Sequence, residues 1–398
     1  MTYVSLASER RSAFFHFLVF IYMNSSFLAA SQRITADVFV PRSANGTHQQ
    51  HLDAAIQWLT RAHDISRDDG VAYGYCLRGG GWKPSYVETS GYIVETFYDL
   101  AEYRGEPVLA TRAKAIADWL MTVQNDDGSF SNDRFGVGQG IVFDTGQVLF
   151  GLVRAYRETG EPKLLESAMR SAQWLSDSMD QDGAWRRNTH LQKIHTYNTR
   201  SAWAMLELCA AHEAPEIESA ARRNLDWALT QQSRGWFENC AFRPELPPFT
   251  HTIAYAIRGL LEGGRLLSEQ RFTDAANESA QQLLKHVDSK GHIPGRIDTA
   301  GNPRSRSCCL TGNCQLAIIW YKLFQQNKNL EFESAASRAM DFVMSVQDVR
   351  TSNPDTHGAI KGSHPVWGKY TPLAYPNWAT KFFIDAMLLR EQNQKAPA

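Results

Sequence analysis

A chain of 398 residues with 43% hydrophobic and 21% charged side chains folds, and it is too long for one simple core unless that core is repetitive. Its formal net charge of -1 leaves no basic face to track a phosphate backbone, so nucleic acid is excluded as the expected partner. Eleven Trp and fourteen Tyr are many, and favour a ligand cleft walled with rings.

At the N-terminus, Arg10 and Arg11 precede an apolar run from Ala13 to Tyr22, which continues weakly to the small residues Ala29, Ala30 and Ser31. That order resembles a signal peptide or anchor, although His16 and Asn24 interrupt the apolar stretch. A cytoplasmic location is favoured, with a periplasmic or secreted one if residues 1–31 act as a signal. No other segment is long and apolar enough to span a bilayer. Residues 32–48 read as a linker, with Pro41, Ser43, Asn45 and Gly46. The expected division is an extension at 1–48, one repeat domain at 49–392 and a tail at 393–398.

From residue 49 onward one design recurs six times. Amphipathic helices are read at 51–63, 107–124, 162–179, 215–232, 272–287 and 331–347. In the second of these, Ala113, Ile116, Ala117, Leu120 and Met121 share one face at i, i+3, i+4, i+7, i+8 spacing. Each helix is paired with a second one that opens on polar or aromatic residues and then turns apolar on most faces. These partners open around Glu88, Asp144, Asn198, His251, Gly312 and Asn377, at gaps of 56, 54, 53, 61 and 65 residues. A helix apolar on nearly all faces is buried on nearly all faces. Amphipathic outside, apolar inside, six times over, reads as two concentric rings of helices.

A glycine turn follows each outer helix: Asp69-Gly70, Asp127-Gly128, Asp182-Gly183, Arg234-Gly235, Lys290-Gly291 and His357-Gly358. Gln124, Gln181, Gln232 and Gln347 precede four of them. Long loops then lead to the inner helices, whereas the links back outward are short, as at Arg104-Gly105-Glu106. One rim therefore collects the long loops and six helix N-termini, a partly positive funnel suited to anionic or hydroxyl-rich ligands.

The run Gln124 to Phe130, with Gln181-Asp182-Gly183-Ala184-Trp185, resembles the turn repeats of the squalene-cyclase and prenyltransferase α/α toroids. Residues 50–392 as a whole are similar to six-hairpin (α/α)6 toroids, among them glycoside hydrolases, polysaccharide lyases and sugar epimerases. Ser85 to Tyr92, Cys309 to Gln315 and Tyr375 to Phe383 bring the likeness nearest to bacterial prenyltransferase-repeat-like proteins associated with polysaccharide metabolism. The resemblance implies an all-α (α/α)6 toroid with one loop-rich rim. It implies activity only at the level of the superfamily, because this architecture hosts many chemistries.

Glu88 and Asp144 open adjacent inner helices, and packed helices lie about 8–10 Å apart, so their carboxylates can face one cavity as acid and base. The plainer alternative is that each serves its own helix N-terminus. His195, Tyr197 and Asn198 open the third inner helix and His251 the fourth; a His with a Tyr suits proton removal beside a carboxylate. Arg200, Arg306 and Asn313 can neutralise that carboxylate, and Arg296 and Arg304 are also at hand. Trp82, Tyr86, Trp367, Tyr370 and Trp378 offer faces for sugar rings. Asn377 opens the sixth helix, and Lys381 one turn on faces either the lumen or an acid there. Cys308, Cys309 and Cys314 cluster without a fourth ligand, so no metal and no cofactor is expected.

The expected function is a carbohydrate-active enzyme on an acidic polysaccharide or oligosaccharide, working by hydrolysis, elimination or epimerisation. The alternatives are a terpenoid cyclase or prenyltransferase-like toroid, which wants an Asp-rich acid motif, and a non-catalytic glycan-binding toroid.

Overall fold

The computed structural model describes residues 28, 30–39, 46–131 and 138–395. Apart from Leu28, Ala30 and Ser31, the candidate leader lies outside the described residues. Residues 30–39 form helix α1, so 32–39, read above as the start of a linker, are helical. Burial of a charge explains the difference. The Asp37 side chain is fully buried; its carboxylate accepts from Lys361 Nζ at 2.6 Å and the Val366 backbone N–H at 2.7 Å, and sits 3.6 Å from His364 Nδ1. Such a group stays buried only when paired, so the helix is held against the ring.

Six hairpins follow, each an outer helix and then an inner one. They are α2 (His48–Asp64) with α3 (Val87–Arg104), α4 (Pro107–Thr122) with α5 (Val142–Thr159), and α6 (Pro162–Asp177) with α7 (Thr199–Ala211). Then come α8 (Pro215–Thr230) with α9 (Thr250–Leu267), α10 (Gln270–Leu284) with α11 (Leu310–Asn327), and α12 (Leu330–Val346) with α13 (Asn377–Lys395). Proline occupies the first turn of α4, α6 and α8, where its missing N–H costs nothing. The inner helices α3 and α5 stop at Gly105 and Gly160 in the left-handed conformation.

Each inner helix packs on the next, and α13 returns to α2 and α3, so the ring closes. The inner helices approach closely. A side chain at Gly91 would meet Val148 Cα of α5 at 2.5 Å, so only glycine fits there.

Three of the preceding glutamines, Gln124, Gln232 and Gln347, act as lateral clamps between outer helices. Gln124 Nε2 donates to Ser167 O on α6 and to Gly128 O of its own turn. Gln232 Nε2 reaches Ala275 O on α10, and Gln347 Nε2 reaches His51 O on α2, back across the point of closure. A short antiparallel pairing of Gly74–Cys76 with Ala374–Pro376 joins the first hairpin to the last on the loop-rich rim. Among the described residues seven strands of two or three residues, none foreseen from the sequence, order this rim.

Candidate active site

The inner-helix N-termini surround a cavity of about 440 Å³ on the loop-rich side. Glu88 and Asp144, each in the first turn of its helix, both line it. Their common opening follows from the close packing of α3 on α5. Tyr86 donates its hydroxyl to Glu88 Oε2 at 2.6 Å, a short charge-assisted bond that fixes one carboxylate oxygen. Burial first, and then the Glu88 and Asp144 charges, hold the Tyr86 phenol well above its ordinary pKa. Tyr197 is raised by burial and by a set of neighbours that includes the same two carboxylates. Both phenols are therefore neutral donors.

Rings make up most of the wall. Phe143 stands edge-on to Tyr197 at 5.4 Å, and Tyr73 edge-on to Trp378 at 4.7 Å. Trp378 donates Nε1–H to the Tyr370 hydroxyl at 2.7 Å, which sets the indole plane. His251 touches Tyr255 at 4.4 Å and Tyr370 at 4.9 Å between ring centres. Burial pushes the His251 imidazole down to about 3, so it is neutral near pH 7. Its Nδ1 lies 3.3 Å from Gln315 Oε1; with that oxygen accepting, Nδ1 carries the proton and Nε2 the lone pair.

Two cations stand at the cavity. Arg296 stacks on Phe249 at 3.8 Å and donates to Pro247 O at 2.9 Å, while its buried Nε has no hydrogen-bond partner. Arg243 lines the same space from an exposed loop and has no ion pair among the described residues.

Of the side chains singled out from sequence, Tyr86, Glu88, Asp144, Tyr197, His251, Tyr370 and Trp378 come together here. The others stand elsewhere. His195 is behind Tyr197, stacked at 4.5 Å and bonded through Nε2 to His190 O; burial lowers it to about 4, and it supports the wall instead of facing the cavity. Asn198, Asn313 and Asn377 are buried in the ring, Asn313 donating to Gly291 O and Asn377 to Ala72 O. The Asn313 and Asn377 amides brace turns, the role that buried backbone carbonyls demand, whereas neither polar atom of the Asn198 amide has a hydrogen-bond partner among the described residues. Trp82 stacks on Trp58 at 5.2 Å and bonds Asp355. Arg306 and Trp367 are exposed on the rim and line no part of the cavity. Arg200 and Lys381 line a second chamber at the opposite end.

The sequence reading missed Tyr73, His190, Phe242, Arg243 and Tyr255 as cavity residues. Tyr255 was within reach, since it lies at i+4 from His251 on one helix face. The others sit on loops or in a short strand-side segment without periodicity. Among the described residues no group of three or more His, Cys, Asp or Glu is placed to hold a metal ion, and no cysteine is in a disulfide.

Comparison with known proteins agrees with the ring. A family model for the squalene-hopene cyclase C-terminal domain matches residues 82–259. No curated protein matches the chain by sequence. An unsaturated glucuronyl hydrolase specific for heparin superposes with a TM-score of 0.70 at 15% identity, covering 88% of this chain and 98% of that one. Cellobiose 2-epimerase from Bacillus thermoamylovorans gives 0.65 at 12% identity, over 86% and 98% of the two chains. A polysaccharide lyase gives 0.64 at 11% identity, over 89% and 99%. The chain is an (α/α)6 toroid, the fold of these three sugar-active proteins.

Proposed function

We propose that this protein is a carbohydrate-active enzyme that works on an acidic saccharide in the central cavity. The observation that carries the reading is a pair of carboxylates, Glu88 and Asp144, lining one ring-walled cavity beside Arg243 and Arg296. Two carboxyl groups across one pocket can divide the work of glycosidic cleavage: one gives a proton to the departing oxygen while the other takes one from water. Tyr86 keeps one Glu88 oxygen occupied and so orients the group. Tyr and Trp faces accept the sugar ring, and the two guanidinium groups suit a substrate carboxylate.

A second reading, elimination or epimerisation, is favoured by one feature: a neutral His251 carrying a lone pair on Nε2 against Tyr255. It would abstract the proton beside a uronate carboxyl group. A terpenoid cyclase fits less well. Asp126-Asp127 is the nearest thing to an Asp-rich motif, and Asp127 is spent on its own turn, accepting from the Ser129 backbone at 2.9 Å.

The test is a screen of the purified protein against acidic oligosaccharides, following reducing ends and the ultraviolet absorbance of unsaturated uronic acids together. New reducing ends without new unsaturation support hydrolysis; rising absorbance supports elimination. Arg243→Ala should raise KM about tenfold on the acidic substrate, the loss of one charge-assisted contact, and leave a neutral analogue unaffected. No turnover of any saccharide would count against the proposal.

A further inference from the structure

The second chamber lies at the end of the lumen away from the long loops and holds about 440 Å³. Its wall includes Glu95, Arg200, Arg258, Lys322, Lys381 and Asp385. None of these has a part in the chemistry proposed above. Arg200 and the rings about it form the partition between the two spaces. Tyr92 and Tyr255 face the upper cavity, whereas Trp203 and Phe382 face the chamber, and all four rings lie 5.0 to 5.6 Å from the Arg200 guanidinium.

Arg200 is only 2% exposed. Its Nε donates to Gln147 Oε1 at 2.6 Å. Among the described residues its two terminal nitrogens have no hydrogen bond, and no carboxylate lies within 4.0 Å of it. Neither nitrogen is a sealed, unsatisfied atom, and Arg200 lines the chamber. A guanidinium taken out of water needs a counter-charge, and rings supply only part of it. The nearby cations are also short of acids. Arg258 and Lys322 share the single carboxylate of Glu262, at 2.7 and 3.0 Å, with Arg265 as a third claimant at 3.0 Å. Of the acids on the wall, Asp385 pairs with Lys381 at 2.5 Å, Asp99 pairs with Arg154 at 2.6 Å and Glu102 is exposed, while Glu95 makes no hydrogen bond or ion pair among the described residues. Burial drives its carboxyl up to about 7, so near neutrality it readily takes up a proton.

We propose that this chamber binds a small oxyanion, a carboxylate, sulfate or phosphate group, which Arg200 holds through its free guanidinium edge while Arg258 and Lys322 supply positive potential. Glu95, on the wall of the same chamber, sets the affinity: ionised, it repels the anion; as the neutral acid, it does not. The ligand can be a free inorganic ion or the charged group of a sugar acid. The inference is independent of the carboxylate pair in the upper cavity.

Calorimetric titration of the full chain with sodium sulfate and, separately, with glucuronate at pH 8 tests it. Sulfate keeps its charge across the neutral range, so Glu95 is the variable. The wild type should bind sulfate; binding of glucuronate alone would assign the anion to a sugar acid and keep the site. Arg200→Met should weaken binding by about tenfold or more, and Glu95→Gln should tighten it by about tenfold at pH 8 through loss of like-charge repulsion. If Arg200→Met does not fold, Lys322→Met should weaken binding in its place. No binding of either anion, or equal affinity in wild type, Glu95→Gln and the cation variants, would overturn the proposal.

Discussion

Glu88 shows how a residue acquires a role from its place on a helix. In the first turn of α3 it can serve the helix N-terminus, yet the Tyr86 hydroxyl takes its Oε2 at 2.6 Å and turns the group to the cavity. Glu95, two turns on, has no such partner. Its carboxyl is held at about 7 against an ordinary 4.5, by burial above all, with the positive charges of Lys381 and Arg200 opposing. The folded state therefore binds the Glu95 proton more tightly than the unfolded chain does. This contribution to stability is complete below about pH 4.5 and is lost as pH rises through about 7, a difference of order 3 kcal/mol at most. Glu95→Gln should accordingly raise the melting temperature at pH 8 and change it little at pH 4, as read by thermal denaturation in paired buffers. A variant less stable than wild type at pH 8 would contradict this. Glu88, Asp144 and His251 were legible because each opens an inner helix, where repeat register alone fixes direction. His195 was not: it stands three residues before the Asn198 anchor of its repeat, and Tyr197 fills the position on the cavity and leaves the imidazole behind it.

At the scale of elements, the glycine turns and their glutamines hold the ring together. Gln347 Nε2 bonds both His51 O and Gly358 O, at 3.2 and 2.7 Å, linking the last outer helix to the first. Gly358 has a φ of 76°, and a side chain there would meet Ala54 O at 2.2 Å. Gln347→Ala should cost about 1–3 kcal/mol, since buried carbonyls lose their donor, and Gly358→Ala should cost at least as much. Gln181 is exposed and has no such clamp, so Gln181→Ala should be near neutral. Denaturant melts of the three variants decide; equal effects would remove the clamp from the account. Helix α1 gives a second case. Asp37→Ala would take the carboxylate from the buried Lys361 ammonium and should destabilise the chain by about 3–5 kcal/mol. Helix positions were readable because periodicity and proline starts mark them. The docking of α1 was not, because its one anchoring carboxylate meets residues more than 300 positions away.

Across the whole molecule, six repeated hairpins bring N-termini, long loops and aromatic side chains to one end, and short links to the other. That division was visible in loop lengths. The separate chamber beneath was not, since it depends on where Arg200 comes to rest among rings from four different inner helices. Asn198 and Asn377 mark the limit of register: both share it with Glu88 and Asp144, yet both are buried in the ring, and the Asn377 amide is spent on the Ala72 carbonyl. The upper cavity is proposed as the place where chemistry occurs. Its most direct test is single-turnover kinetics of Glu88→Gln and Asp144→Asn on an acidic oligosaccharide that the wild type converts. Each variant should lose about 10²- to 10⁴-fold in rate while keeping the wild-type melting profile and substrate affinity. Undiminished turnover in both would contradict the assignment.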